Sequence, residues 1–144
     1  MAFVHLRLHS EFSVVAVSLK KKEAARAARA DGQPALALTD LNNLFGAVQF
    51  YKACRDQGVK PIIGADLWLE PEGTDKHPSR LLVLAQDRRG YLNLCELLTR
   101  GWTANVQRTQ AWIKWTWLDA LNGGLIALSG ADAGAVGQAL LGGD

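Results

Sequence analysis

Residues 34–40 read Pro34-Ala35-Leu36-Ala37-Leu38-Thr39-Asp40, and the fold class turns on them. Four apolar residues in succession offer no polar alternate to face water, which suits a strand covered on both sides in a parallel sheet. Working backwards, residues 18–31 are rich in Ala, Arg and Lys and favour a helix, with Gly32 and Pro34 supplying its stop. Before that, residues 3–9 alternate, with Val4, Leu6 and Leu8 on one face and His5, Arg7 and His9 on the other, as a half-buried strand requires. Working forwards, Asn43 is placed to cap a helix over 44–55, where Phe45, Val48, Tyr51 or Lys52 and Cys54 recur at helical spacing until Gly58 closes it.

Two apolar strands follow at 59–69 and 80–86, separated by a polar stretch that reads as an exposed hairpin loop. A helix over 90–102, an aromatic segment over 112–122, a Gly123-Gly124 turn, a strand over 125–128 and a last helix of small residues complete the chain. This alternation predicts an α/β class with a mainly parallel sheet, doubly wound or part of a (β/α) barrel. Only four or five strands precede the end at Asp144, fewer than a closed barrel needs, so the chain is expected to be part of a larger fold.

Composition narrows the function. With 144 residues, 49% hydrophobic and 21% charged, the chain has the make-up of one globular domain. Its 16 basic and 14 acidic residues give a net charge of +2, too little for bulk attraction to nucleic acid, so little direct DNA contact is expected. The short basic run at Lys20, Lys21 and Lys22 reads as a solvated first helical turn. No apolar run approaches membrane-spanning length, and the start lacks the apolar core of a secretory signal. Cys54 and Cys95 have no CxxC or Cys/His clustering and read as reduced core thiols of a cytoplasmic protein.

In parallel α/β folds the chemistry collects at the carboxyl ends of strands, which singles out His9, Asp40 and Asp66. An imidazole nitrogen and two hard carboxylates would suit zinc, manganese or iron. Each also has a structural reading, a helix-capping carboxylate or a satisfied polar imidazole.

The string His5-Leu6-Arg7-Leu8-His9-Ser10-Glu11-Phe12-Ser13 resembles the opening of the PHP domain of bacterial DNA polymerase III alpha subunits. The segments Pro34 to Asp40, Asn43-Leu44-Phe45-Gly46-Ala47-Val48 and Gly58-Val59-Lys60-Pro61-Ile62-Ile63-Gly64-Ala65-Asp66 are similar to that family in order and spacing, as are Leu82-Val83-Leu84-Ala85, Gly90-Tyr91-Leu92-Asn93-Leu94 and Gly124-Leu125-Ile126-Ala127-Leu128-Ser129-Gly130. The resemblance implies a distorted seven-stranded (β/α) barrel, of which this chain holds about the first half.

Active members of that family gather two or three metal ions with a His-x-His pair on the first strand and hydrolyse phosphoesters. Here the first position of the pair is Arg7, and only His9 keeps its type. The Asp-Gly pair expected next falls on Ala16-Val17, the Asp-His pair on Asp40-Leu41, and a later His on Arg80, while Asp66 keeps a carboxylate where Glu is common. A guanidinium stays protonated and presents only donors, so it cannot ligate a metal. Arg7 and Arg80 are therefore expected to stand as metal-replacing cations opposite Asp40 and Asp66, leaving His9, Asp40 and Asp66 as vestigial ligands, with no cofactor and no catalytic residue.

The resemblance implies a structural or partner-docking module of a polymerase whose template-directed synthesis rests on residues elsewhere. Its implied partners are the remainder of the polymerase chain and the proofreading exonuclease subunit. The alternative is a PHP-type phosphoesterase using divalent zinc, manganese or magnesium at the same three residues. Trp102, Trp112, Trp115 and Trp117 crowd one stretch and point to an interface, with self-association of the chain expected.

Overall fold

A computed structural model describes residues 3–13, 20–73 and 77–142, and the expected ligand position at Ala16-Val17 lies outside them. The chain divides into two compact units, one ending at Ala65 and the other beginning at Asp66. The division falls inside a long strand.

The first unit holds α1 (Lys21–Ala30), β1 (Ala35–Leu41), α2 (Ala47–Gln57) and the start of β2 (Lys60–Leu69). Its core is built from Ala24, Ala25 and Ala28 of α1, Leu36 and Leu38 of β1, and Phe50, Ala53, Cys54 and Val59. The three alanines recur at helical spacing, and their small side chains let α1 lie close to its neighbours. β1 pairs with β2, and the Lys60 amide donates to the Pro34 carbonyl at 2.9 Å. Gly58 ends α2 with φ +69°, a conformation that glycine adopts without Cβ strain. Burial pushes the Cys54 thiol up to about 11, so it packs as a protonated apolar group.

Three expectations change here. Residues 3–9 run alongside β1 but form only an isolated parallel bridge, His5 to Leu36. The reason is local: Gln33 Oε1 takes the His5 amide at 3.2 Å and Thr39 Oγ1 takes the Leu8 amide at 3.0 Å, so side chains replace ladder bonds. α2 begins later than Asn43 because the Asn43 side-chain oxygen Oδ1 accepts from the Phe45 amide at 3.2 Å, an Asx turn rather than a helix cap. Finally, the basic run is not uniformly solvated. Lys20 and Lys22 are exposed, but Lys21 is buried, with its ammonium 2.5 Å from Glu11 and 4.2 Å from the Phe12 ring centroid.

The second unit continues β2 and adds β3 (Ser79–Ala85), α3 (Arg88–Ala104), β4 (Val106–Gln107), β5 (Gln110–Ile113), α4 (Trp115–Leu121), β6 (Leu125–Ser129), a 3-10 turn (Ala131–Ala133) and α5 (Ala135–Gly142). Its strands run in the order β4-β5-β2-β3-β6. β5 is parallel to β2, with Trp68 opposite Trp112, whereas β6 is antiparallel to β3 and β4 to β5. The sheet is thus mixed and not closed into a barrel, in keeping with a partial, distorted (β/α) barrel. Its antiparallel share exceeds the mainly parallel sheet expected from the alternation of elements, because β2 is followed directly by β3 and because β4 and β5 form a hairpin with Arg108 at φ +57°.

α3 starts at Asp87, whose side chain accepts from the Gly90 amide at 2.8 Å. Gly90 then lies so close to Gly124 that a Cβ there would meet the Gly124 carbonyl oxygen at 1.8 Å. Trp112, Trp115 and Trp117 are half-buried and Trp102 is exposed; the Trp115 indole donates to the Glu70 carbonyl at 3.1 Å. At least part of the tryptophan cluster therefore packs within its own unit.

Candidate functional site

Asp66 and Arg80 face each other across β2 and β3, and the sequence placed both among its site residues. Arg80 Nε donates to Asp66 Oδ1 at 3.1 Å and Nη2 to Oδ2 at 2.5 Å, a two-point clamp that engages both carboxylate oxygens. The Asp66 side chain is 2% exposed and that of Arg80 14%. The guanidinium carbon lies 4.5 Å from the centroid of the Trp68 ring, so the cation is held from one side by the carboxylate and from another by an aromatic face. Asp66 is not at a strand end, since β2 runs on to Leu69.

Asp40 is also buried, near the end of β1, but its oxygens are met differently. It accepts from the Ser10 amide at 2.5 Å, the Ser10 hydroxyl at 2.7 Å and the Ser13 hydroxyl at 2.8 Å. Ser13 Oγ in turn accepts from the Leu41 amide at 3.0 Å, and the Ser13 amide donates to the Ser10 carbonyl at 2.9 Å. A tight turn over Ser10 to Ser13 thus wraps the carboxylate in donors. These serines were missed as site residues. Their signal was present, two hydroxyls three residues apart directly after the His9 position, where they can reach a neighbouring strand.

Arg7 is exposed and His9 half-buried, both on the segment that leads into the Ser10 turn. The structure joins Asp66 to Arg80 and Asp40 to the two serines. Among the described residues no group of three or more His, Cys, Asp or Glu side chains is close enough to hold a metal ion. The donor set also disagrees with a metal cluster: both Asp66 oxygens already accept from a guanidinium, and both Asp40 oxygens accept from hydroxyl or amide groups. Such an arrangement neutralises the buried Asp66 carboxylate and surrounds the buried Asp40 carboxylate with hydrogen-bond donors.

The sequence pattern of the PHP domain matches residues 5–144. The chain is 44% identical over 144 residues to the DNA polymerase III subunit alpha of Pseudomonas aeruginosa, covering all of this chain and 12% of that one. It is 41% identical over 142 residues to the DNA polymerase III subunit alpha of Escherichia coli K12, covering 99% of this chain and 12% of the relative. The chain thus spans about an eighth of the length of these curated relatives. Among solved structures, an amidohydrolase from Chromobacterium violaceum aligns with TM-score 0.49 and 20% identity over 68% of this chain and 32% of its own.

Proposed function

Because this chain belongs to the PHP domain family, we propose that it is a non-catalytic module of the large subunit of a bacterial replicative DNA polymerase, with a degenerate metal site. The observation that carries this reading is the Asp66–Arg80 clamp. A guanidinium occupies the carboxylate that would ligate metal, and it supplies the positive charge that metal would bring. Arg7, at the first His-x-His position, removes a second donor, so His9, Asp40 and Asp66 are remnants of a ligand set. In this reading the parent subunit's template-directed DNA synthesis takes place on residues outside this chain. The module's work is structural, and it docks the rest of the polymerase and the proofreading exonuclease subunit. No helix among the described residues is long and apolar enough to cross a membrane. The free thiols of Cys54 and Cys95 suit a reducing compartment, and we place the module in the cytoplasm.

The test is hydrolysis of p-nitrophenyl phosphate and its bis-ester by the purified chain with added manganese, zinc or magnesium. No turnover above the protein-free blank is expected. Manganese-dependent hydrolysis abolished by His9→Ala would instead make the chain a phosphoesterase. Exposed Ile126, Val136, Leu140 and Leu141 on β6 and α5 further support self-association, which sedimentation equilibrium checks: mass should rise with concentration, and a constant monomer mass would refute it.

A further inference from the structure

The outer face of α1 and α2 presents large apolar side chains beside a cluster of cations, and neither feature is used by the carboxylate site. Val48 and Tyr51, three residues apart on α2, are 64% and 48% exposed, and Phe45, three residues before Val48 in the turn that leads into α2, is 74% exposed. This spacing sets them in one stripe. Phe45 is nonetheless held in place. Its amide is fixed by Asn43, and its ring meets Phe12 edge-on at 6.3 Å between centroids, while Phe12 is itself capped by the Lys21 ammonium. An exposed aromatic that is already ordered loses little freedom when it is covered, the property of an interface anchor.

Next to the stripe, a cleft of about 810 Å³ opens between the helices. Lys20, Lys22 and Arg26 line it from the α1 side and Lys52 from α2, against the carboxylates of Glu23 and Asp56. Lys21 and Glu11 also reach it but are paired with each other. Four cations against two carboxylates leave an excess of two positive charges, as large as the net charge of the whole chain. Lys52 follows Val48 by one helical turn and belongs to both the cleft and the stripe, which makes them one surface.

We propose that this surface docks an acidic, amphipathic peptide segment of a partner protein, its apolar side chains covering Phe45, Val48 and Tyr51 and its carboxylates lying along the cleft. Charge complementarity selects the sign of the partner, and the apolar stripe selects a peptide over a nucleic acid. Phosphates would meet the carboxylates of Glu23 and Asp56, and an aliphatic Val48 between two aromatics interrupts a base-stacking ladder. The inference concerns this face alone and does not depend on the state of the metal site.

The experiment is fluorescence anisotropy on the chain with two labelled probes, a short peptide rich in Asp and Glu carrying Leu and Phe four residues apart, and a single-stranded oligo(dT). Saturable peptide binding that weakens with salt is expected, lowered about tenfold or more by Phe45→Ala and by Lys52→Glu, with circular dichroism unchanged. Val48→Ser, on the solvent side of α2, gives the same readout should Phe45→Ala unfold the chain. Absence of saturable peptide binding up to about 1 mM, or binding indifferent to these substitutions, would overturn the proposal. So would tighter binding of oligo(dT) weakened by the same substitutions, which would make the face a nucleic-acid surface.

Discussion

Replacing Arg80 with alanine should destabilise the fold by about 3–5 kcal/mol, because it takes a two-point guanidinium clamp away from a buried carboxylate. The size follows from the geometry. Asp66 is 2% exposed, so water cannot replace the two hydrogen bonds at 2.5 and 3.1 Å that the guanidinium provides. The contact of Arg80 with the Trp68 ring, about 0.5–2 kcal/mol for such a pair, falls within that range rather than adding to it. Arg80→Lys keeps the charge but reduces a fork to a single point contact, and should lose roughly 1.5–3 kcal/mol, the worth of one charged hydrogen bond. The double variant Arg80→Leu, Asp66→Leu removes both charges and should recover most of the loss. Urea unfolding followed by circular dichroism gives all three values, and Trp68 beneath the guanidinium gives a fluorescence signal from the site itself. A cost for Arg80→Ala under about 1 kcal/mol, the level of an exposed ion pair, would refute the reasoning.

Two further outcomes are expected from the rest of the fold. Gly90→Ala drives a methyl into the Gly124 carbonyl, and overpacking of this kind costs about 1–3 kcal/mol, so its urea midpoint should fall well below that of the parent; an unchanged midpoint would mean that α3 and the Gly123-Gly124 turn can separate freely. Glu11 is held below its ordinary value of 4.5, chiefly by the hydrogen bond from Lys21. A lowered carboxylate pKa gives stability that is present above the ordinary value and is lost as pH falls through the folded one. The stability gap between the parent chain and Lys21→Met should therefore narrow as pH drops below about 4.5; a gap independent of pH would show that the ion pair contributes nothing and that only packing against Phe12 matters.

Much of this structure was legible in the sequence where periodicity and punctuation agree. The apolar run before Asp40 is β1, Gly58 ends α2, and the apolar stretches on either side of the polar loop are β2 and β3. What escaped depends on side chains that substitute for the backbone. The alternation over residues 3–9 is that of a strand, yet Gln33 and Thr39 take amides that a ladder would use, and no local pattern announces such long-range partners. The β4–β5 hairpin, which lies mostly before the aromatic segment, escaped because its turn rests on Arg108 in a left-handed conformation rather than on glycine. At the site, the sequence singled out Arg80 and Asp66, whose side chains the structure pairs. Asp40 takes hydroxyls and an amide from the Ser10 turn, and no local pattern in the sequence announces those partners some thirty residues away.

The most direct test of the central claim is elemental analysis of the chain purified from cells grown with added zinc and manganese. With a guanidinium clamped on Asp66 and serines on Asp40, the metal content should be far below one ion per chain, and a chelator should leave the melting temperature unchanged. Two or more tightly held ions per chain, with melting lowered on their removal, would contradict the account.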